Sequence, residues 1–122
     1  MVYKETILRV IDNSGVGLVK CIHIYGVGNR KYAKAGDLVL VSVFRVDRGS
    51  VIKKGKLFKA VVVRTVKESM RLGGESVKFS DNSVVLLKND LTPVGSRILG
   101  PVSFALRNSG FLRVISLAYI TI

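Results

Sequence analysis

The segment Leu38-Val39-Leu40-Val41-Ser42-Val43-Phe44 is the longest apolar run in the chain, and its length decides how it is read. It falls far short of the roughly 18 apolar residues that a membrane-spanning helix needs. Rich in β-branched residues and preceded by the turn-forming Ala35-Gly36-Asp37, it is a β-strand. Working outward from it, the same Val/Ile/Leu-rich pattern extends to residue 45 and recurs at 5–11, 18–25, 57–65, 76–79 and 83–88. Between these runs lie Asp12-Asn13-Ser14-Gly15, Gly26-Val27-Gly28-Asn29, Arg48-Gly49-Ser50 and Leu72-Gly73-Gly74-Glu75, all rich in residues that tolerate a positive φ. Many short strands at this spacing predict a small closed β-barrel rather than an α/β sheet. Closure also removes the aggregation-prone edges that such apolar strands would expose.

The chain has 122 residues, with 20 Lys+Arg against 8 Asp+Glu, a net charge of +12. Hydrophobic residues make up 48% of it and the mean hydropathy is +0.38, far too apolar for a disordered basic tail. The charge therefore sits on something folded, read as one domain over residues 1–122. A chain of this length can bury about two-thirds of its unfolded surface, so it needs neither disulfide nor metal.

With Cys21 and His23 the only residues of their kinds, the chain can form no disulfide of its own and no Cys/His zinc site. Strand alternation through Val19-Lys20-Cys21-Ile22-His23-Ile24-Tyr25 puts both side chains on one face. Cys21 is read as a small buried hydrophobe, and His23 as a strand-face or RNA-facing side chain rather than a catalytic one. One unpaired thiol suits a reducing compartment. The N-terminal Met1-Val2-Tyr3-Lys4-Glu5-Thr6 has neither signal-peptide nor transit-peptide character, so the protein is expected to be made where it works or to have lost a presequence.

From about residue 93 to 122 the character changes. Pro93, Gly95, Gly100 and Pro101 break the chain into loops, and Ser103-Phe104-Ala105-Leu106-Arg107-Asn108, stopped by Gly110, reads as a short helix. In the segment after it, Phe111, Val114, Ile115 and Ala118 fit a helical face, while its β-branched content also fits a strand.

The cations gather at turns and strand ends. Arg30, Lys31 and Lys34 surround Tyr32; Arg45, Arg48, Lys53, Lys54, Lys56 and Lys59 form a second group; Arg64, Lys67 and Arg71 form a third. Clustered Lys and Arg on the loops of a rigid barrel suit nucleic acid, whose phosphates they neutralise. The plain alternative is a solvated charge face. The 4 Tyr and 5 Phe are scattered singly and there is no Trp, which weakens sequence-tolerant single-strand stacking. Backbone and shape recognition of folded RNA remains, with Tyr32 available to stack on one exposed base.

Other chemistries find little support. Gly26-Val27-Gly28 begins like a dinucleotide loop, but Lys31 stands where its third Gly should be, and no Walker-type Gly-Lys-Ser/Thr is present. Asp12-Asn13-Ser14-Gly15 superficially resembles a GTPase switch motif, yet without a phosphate loop it is an Asx-type turn between strands. No carboxylate pair is set up for acid–base or metal work, so no catalytic residue, metal or cofactor is assigned. The competing functions are a free-standing RNA chaperone and a cationic module for anionic lipid; the latter lacks the long amphipathic basic helix it needs.

Several segments together resemble the universal large-subunit ribosomal protein family numbered fourteen, in its short bacterial and organellar form. They are Leu8-Arg9-Val10-Ile11-Asp12-Asn13-Ser14-Gly15; Arg48-Gly49 with Val51-Ile52-Lys53-Lys54-Gly55; Lys59-Ala60-Val61-Val62-Val63-Arg64-Thr65; and Val94-Gly95-Ser96-Arg97-Ile98-Leu99-Gly100-Pro101-Val102. Leu106-Arg107 and Ile115-Ser116-Leu117-Ala118 continue the match, as do Phe79, Asn82, Val85 and Leu86 within the signature region. Gly73 departs from the Asp, Asn or Ser usual before the hairpin Gly74.

The resemblance implies a mainly β fold: a five-stranded β-barrel with a projecting β-hairpin and a C-terminal region of loops and short helices, with 111–118 helical. It implies a non-catalytic role in the large ribosomal subunit. The expected partners are large-subunit ribosomal RNA, small-subunit RNA at intersubunit bridges, the neighbouring large-subunit proteins three and nineteen, and the ribosome silencing factor, with no membrane. Arg48, Lys53 and Lys54, together with Arg30, Lys31, Arg64, Lys67 and Arg71, are then expected phosphate contacts; the charge clusters add Arg45, Lys56 and Lys59 to the expected RNA-binding set, and Tyr32 joins it as the stacking residue. Ser96, Arg97, Arg107 and Arg113 fall on the implied protein-docking and bridge surface; Arg113 stands where a Lys is common. The aliphatic, Phe-containing composition favours a mitochondrial over a bacterial ribosome.

Overall fold

The structure, a computed structural model, describes all residues except 1, 27, 29–30, 48, 50, 67–68, 71–75, 78–80, 104–105, 107–111 and 118–122. Its elements are β1 (Val2–Tyr3), β2 (Ile7–Val10), β3 (Val16–Ile24), β4 (Tyr32–Ala33), β5 (Leu38–Val46), β6 (Leu57–Arg64), β7 (Ser69–Met70), β8 (Ser76–Val77), β9 (Ser83–Leu87) and the helix α1 (Leu112–Leu117). The strands β2-β3-β5-β6-β9 form a closed barrel. Neighbours run antiparallel except at the seam, where β2 and β9 pair in parallel through Arg9↔Ser83 and Val10↔Val84. The mainly β class and the five-stranded barrel expected from sequence are what is found. Of the expected hairpin, β7 and β8 pair antiparallel through Ser69↔Val77 and Met70↔Ser76, and its Gly73-Gly74 tip lies outside the described residues.

Alternation places one set of side chains inside. Leu8, Val10, Val19, Cys21, Val39, Val41, Val43, Ala60, Val62, Val84 and Leu86 belong to one buried cluster. The strands β6 and β9 break the alternation because they are buried on both faces. Their outward-facing Val61, Val63, Val85 and Leu87 join a second cluster with Ile11, Ile98, Val102, Leu106 and Val114. This explains the unbroken aliphatic run Ala60-Val61-Val62-Val63: the barrel covers one side and the C-terminal segments cover the other.

Within the segment 111–118, open between helix and strand on composition, the described residues 112–117 are helical as the resemblance implied, with α1 placing Val114 in the second cluster. The helix expected over 103–108 lies largely outside the described residues. Cys21 is fully buried as expected, but His23 is exposed. The expectation that both share a face is corrected by a register shift between them: Cys21 pairs with Val41 and His23 with Leu40. One extra residue in β3 turns His23 outward, where its ring meets that of Tyr25 edge-on at 4.9 Å. The short pair β1-β4 was not anticipated, since two residues carry too little periodicity to be recognised.

Candidate nucleic-acid interface

The β5–β6 connection carries the densest group of cations. Its return is a tight turn in which Gly55, at φ 84°, donates to the Val43 carbonyl at 2.9 Å while Val43 donates back to Lys56 at 2.9 Å. The positive φ is what a glycine supplies there without strain. Lys53, Lys54 and Lys56 are all exposed, with the Lys56 ammonium 5.1 Å from the Phe58 ring centroid. Arg45 is exposed on β5, and Lys59 is half-buried on β6 opposite Leu40 and Leu87. The rigid barrel strands thus fix the bases of a loop whose ammonium groups stand in solvent.

A second group lies at β4. Lys31 and Lys34 are exposed, and the Lys34 ammonium sits 5.9 Å over the Tyr32 ring. Tyr32 pairs with Tyr3 across β1-β4, with ring centroids 5.9 Å apart and planes tilted by 56°. Tyrosines scattered singly in the sequence are therefore brought together in space, with Tyr3 about half exposed at 49%. Sequence reading missed Tyr3 because only the β1-β4 pairing makes it Tyr32's neighbour.

Arg64 is placed differently from the other expected phosphate contacts. Its side chain is only 12% exposed, with Nε 3.1 Å from Asp81 Oδ1 in an ion pair too bent for a hydrogen bond. Its Nη2 donates to Asp81 Oδ2 at 3.1 Å and to the Ser83 hydroxyl at 2.9 Å. Asp81 also lies 3.5 Å from the exposed guanidinium of Arg9. The charge of Arg64 is thus spent inside the protein, tying the end of β6 to the start of β9. Arg30, Arg48, Lys67 and Arg71 lie outside the described residues.

On the expected docking surface, Ser96, Arg97 and Arg113 are exposed, and Arg107 lies outside the described residues. Ser96 and Arg113 line one open cleft of about 550 Å³, with Lys88, Asp90, Thr92 and Ser116. The Thr92 hydroxyl and N–H donate to Asp90 Oδ1 at 2.6 and 3.2 Å, holding that carboxyl below its ordinary range. Behind the cleft, Asp12 is 6% exposed. Burial pushes its carboxyl up, against the opposing pull of hydrogen bonds from Ser14 and Leu86.

Among the described residues no group of three or more His, Cys, Asp or Glu side chains could hold a metal ion, and no helix is long and apolar enough to cross a membrane. The geometry defines a class of protein: a rigid closed barrel that presents cations on its loops. Residues 1–122, the whole chain, match the family model described as ribosomal protein L14p/L23e, and the chain belongs to that family. It is accordingly a structural protein of the large ribosomal subunit, from a family without enzymatic function.

Proposed function

We propose that this protein binds large-subunit ribosomal RNA through its loop cations and serves as a rigid wedge where RNA segments distant in sequence converge. The observation that carries the reading is the β5–β6 connection, where Lys53, Lys54 and Lys56 stand exposed on a turn fixed by paired backbone hydrogen bonds to Val43. Lys31, Tyr32 and Arg45 extend the proposed contact set, with Lys59 beside it; Arg30, Arg48, Lys67 and Arg71 enter on their sequence positions alone. Arg64 is left out because Asp81 already neutralises it. Because the loop backbone is already fixed, only the lysine side chains have to be ordered when they meet crowded phosphates.

The second part of the proposal concerns the face bearing Ser96, Arg97 and Arg113. Its exposed cations and open cleft suit contacts to small-subunit RNA at intersubunit bridges and to protein partners. The partners implied by the family resemblance are the neighbouring large-subunit proteins three and nineteen and the ribosome silencing factor. For the compartment, the aliphatic-rich composition favours a mitochondrial matrix over a bacterial cytoplasm.

Sedimentation of a gently prepared lysate, under conditions that separate the subunits, tests the central reading. The chain is expected to travel with the large subunit and to leave it on ribonuclease treatment. A chain that stays at the top of the gradient regardless of ribonuclease overturns the ribosomal RNA-binding role in favour of a free RNA chaperone.

A further inference from the structure

Within Asp12-Asn13-Ser14-Gly15, only part of the motif builds the turn. Asp12 Oδ1 accepts from the Ser14 N–H at 3.1 Å and from its hydroxyl, and Asp12 Oδ2 accepts from the Leu86 N–H of β9 at 3.3 Å. The side chain of Asn13 reaches elsewhere, to residues more than 80 positions away in sequence. Its Oδ1 accepts from the N–H groups of Ser96 at 2.8 Å and Arg97 at 3.1 Å, while its Nδ2 donates to the Ser96 hydroxyl at 2.9 Å. The Asn13 N–H also donates to the Arg97 carbonyl at 3.3 Å, next to the bridge between Asp12 and Ile98.

The fit is close enough to restrict the neighbouring residue. A Cβ on Gly95 would stand 2.6 Å from Asn13 Oδ1 and 3.2 Å from the Asn13 backbone nitrogen. Asn13 is itself exposed, so its amide adds little to the core. Its hydrogen bonds instead fix the backbone of two consecutive exposed residues, and hence the directions in which their side chains leave it.

We infer that Asn13 is the positioning residue of the docking face, holding Ser96 and Arg97 in the orientation in which this cationic face meets small-subunit RNA. The inference rests on the docking role proposed above for Ser96, Arg97 and Arg113. It joins two separate sequence motifs, 12–15 and 94–97, into one functional unit.

Amide hydrogen exchange on the full chain, with subunit joining by large subunits reconstituted with each variant, tests it. In Asn13→Ala, exchange at the Ser96 and Arg97 amides should speed up by about tenfold or more, while the backbone-bonded barrel amides of Arg9 and Val62 hold. Asn13→Asp keeps the acceptor oxygen and should restore most of that protection, a rescue that a bulk packing role would not give. Joining to purified small subunits should slow with Asn13→Ala.

Unchanged exchange at Ser96 and Arg97, or equal loosening of the barrel amides, overturns the inference. The double variant Arg97→Ala/Arg113→Ala separates it from its premise. Normal joining by that variant overturns the docking reading and the inference with it. Slow joining by that variant beside normal joining by Asn13→Ala overturns the inference alone.

Discussion

Replacing Arg64 by Ala should destabilise the fold while leaving RNA binding nearly intact, the opposite of what its place in a basic cluster suggests. The substitution removes two hydrogen bonds, to Asp81 Oδ2 and Ser83 Oγ, and the bent ion pair with Asp81 Oδ1. Breaking a fully buried pair from one side costs about 3–5 kcal/mol. Here Asp81 retains 26% exposure and still has Arg9 at 3.5 Å, so about 2–3 kcal/mol is the appropriate figure. With an unfolding entropy of about 2.1 cal/mol/K per residue over this chain, that loss lowers Tm by about 8–12 °C. Arg64→Lys should recover only part of it, because one ammonium cannot span both Asp81 oxygens and the Ser83 hydroxyl as the planar fork does. Thermal melts give the stability, and titration of a ribosomal RNA fragment over a salt series, well below Tm, gives the phosphate count. A variant that melts within about 2 °C of the parent and loses about 0.7 from its salt slope would refute the structural assignment and make Arg64 a phosphate contact after all.

Charge removal at Lys53 and Lys54 should behave in reverse: RNA affinity falls and the salt slope drops by about 1.4–1.8 for the pair, with Tm unchanged because both side chains are exposed. Equal slopes for variant and parent would remove this loop from the interface. Val62→Asp, at a position with 0% exposure inside the barrel, should abolish cooperative folding by burying an unpaired charge, as circular dichroism melts would report. A soluble variant with a sharp transition would mean that β6 is not core. For Asp12, burial raises the folded carboxyl above its ordinary 3.8, so the folded state holds that proton more tightly than the unfolded one. Relative to Asp12→Asn, the parent should therefore lose stability as pH rises from 3.8 through the folded value, and regain it on acidification. Denaturant titrations of both proteins across that window check the sign; a parent that gains with rising pH would place Asp12 among carboxylates stabilised as anions.

The strands were legible because β alternation and β-branched content are local. Five of the expected runs became β2, β3, β5, β6 and β9 with ends shifted by only a few residues, and Asp12-Asn13-Ser14-Gly15 became the turn its Asx geometry required. The same local reading failed at His23, because a single bulged residue reverses every side chain beyond it and leaves no composition signal. It also missed Tyr3 beside Tyr32, and it could not separate Arg64 from Lys53, since each is a cation near a strand end in a basic cluster. Only Asp81, brought across from the bend just before β9, distinguishes them.

What the sequence determined by itself is therefore what depends on near neighbours: a β protein, its principal strands and turns, and a surplus of cations at their ends. Tertiary structure decided which of those cations are free to act. The β6-β9 pairing brings Arg64 to Asp81, closure through the parallel β2-β9 seam adds Arg9, and the packing of residues 94–102 over β6 and β9 brings Ser96 and Arg97 to Asn13. Those encounters join residues far apart along the chain. No local pattern encodes them, because a hydrogen bond or ion pair is set by distance in space, and distance in space is fixed only when the sheet has closed.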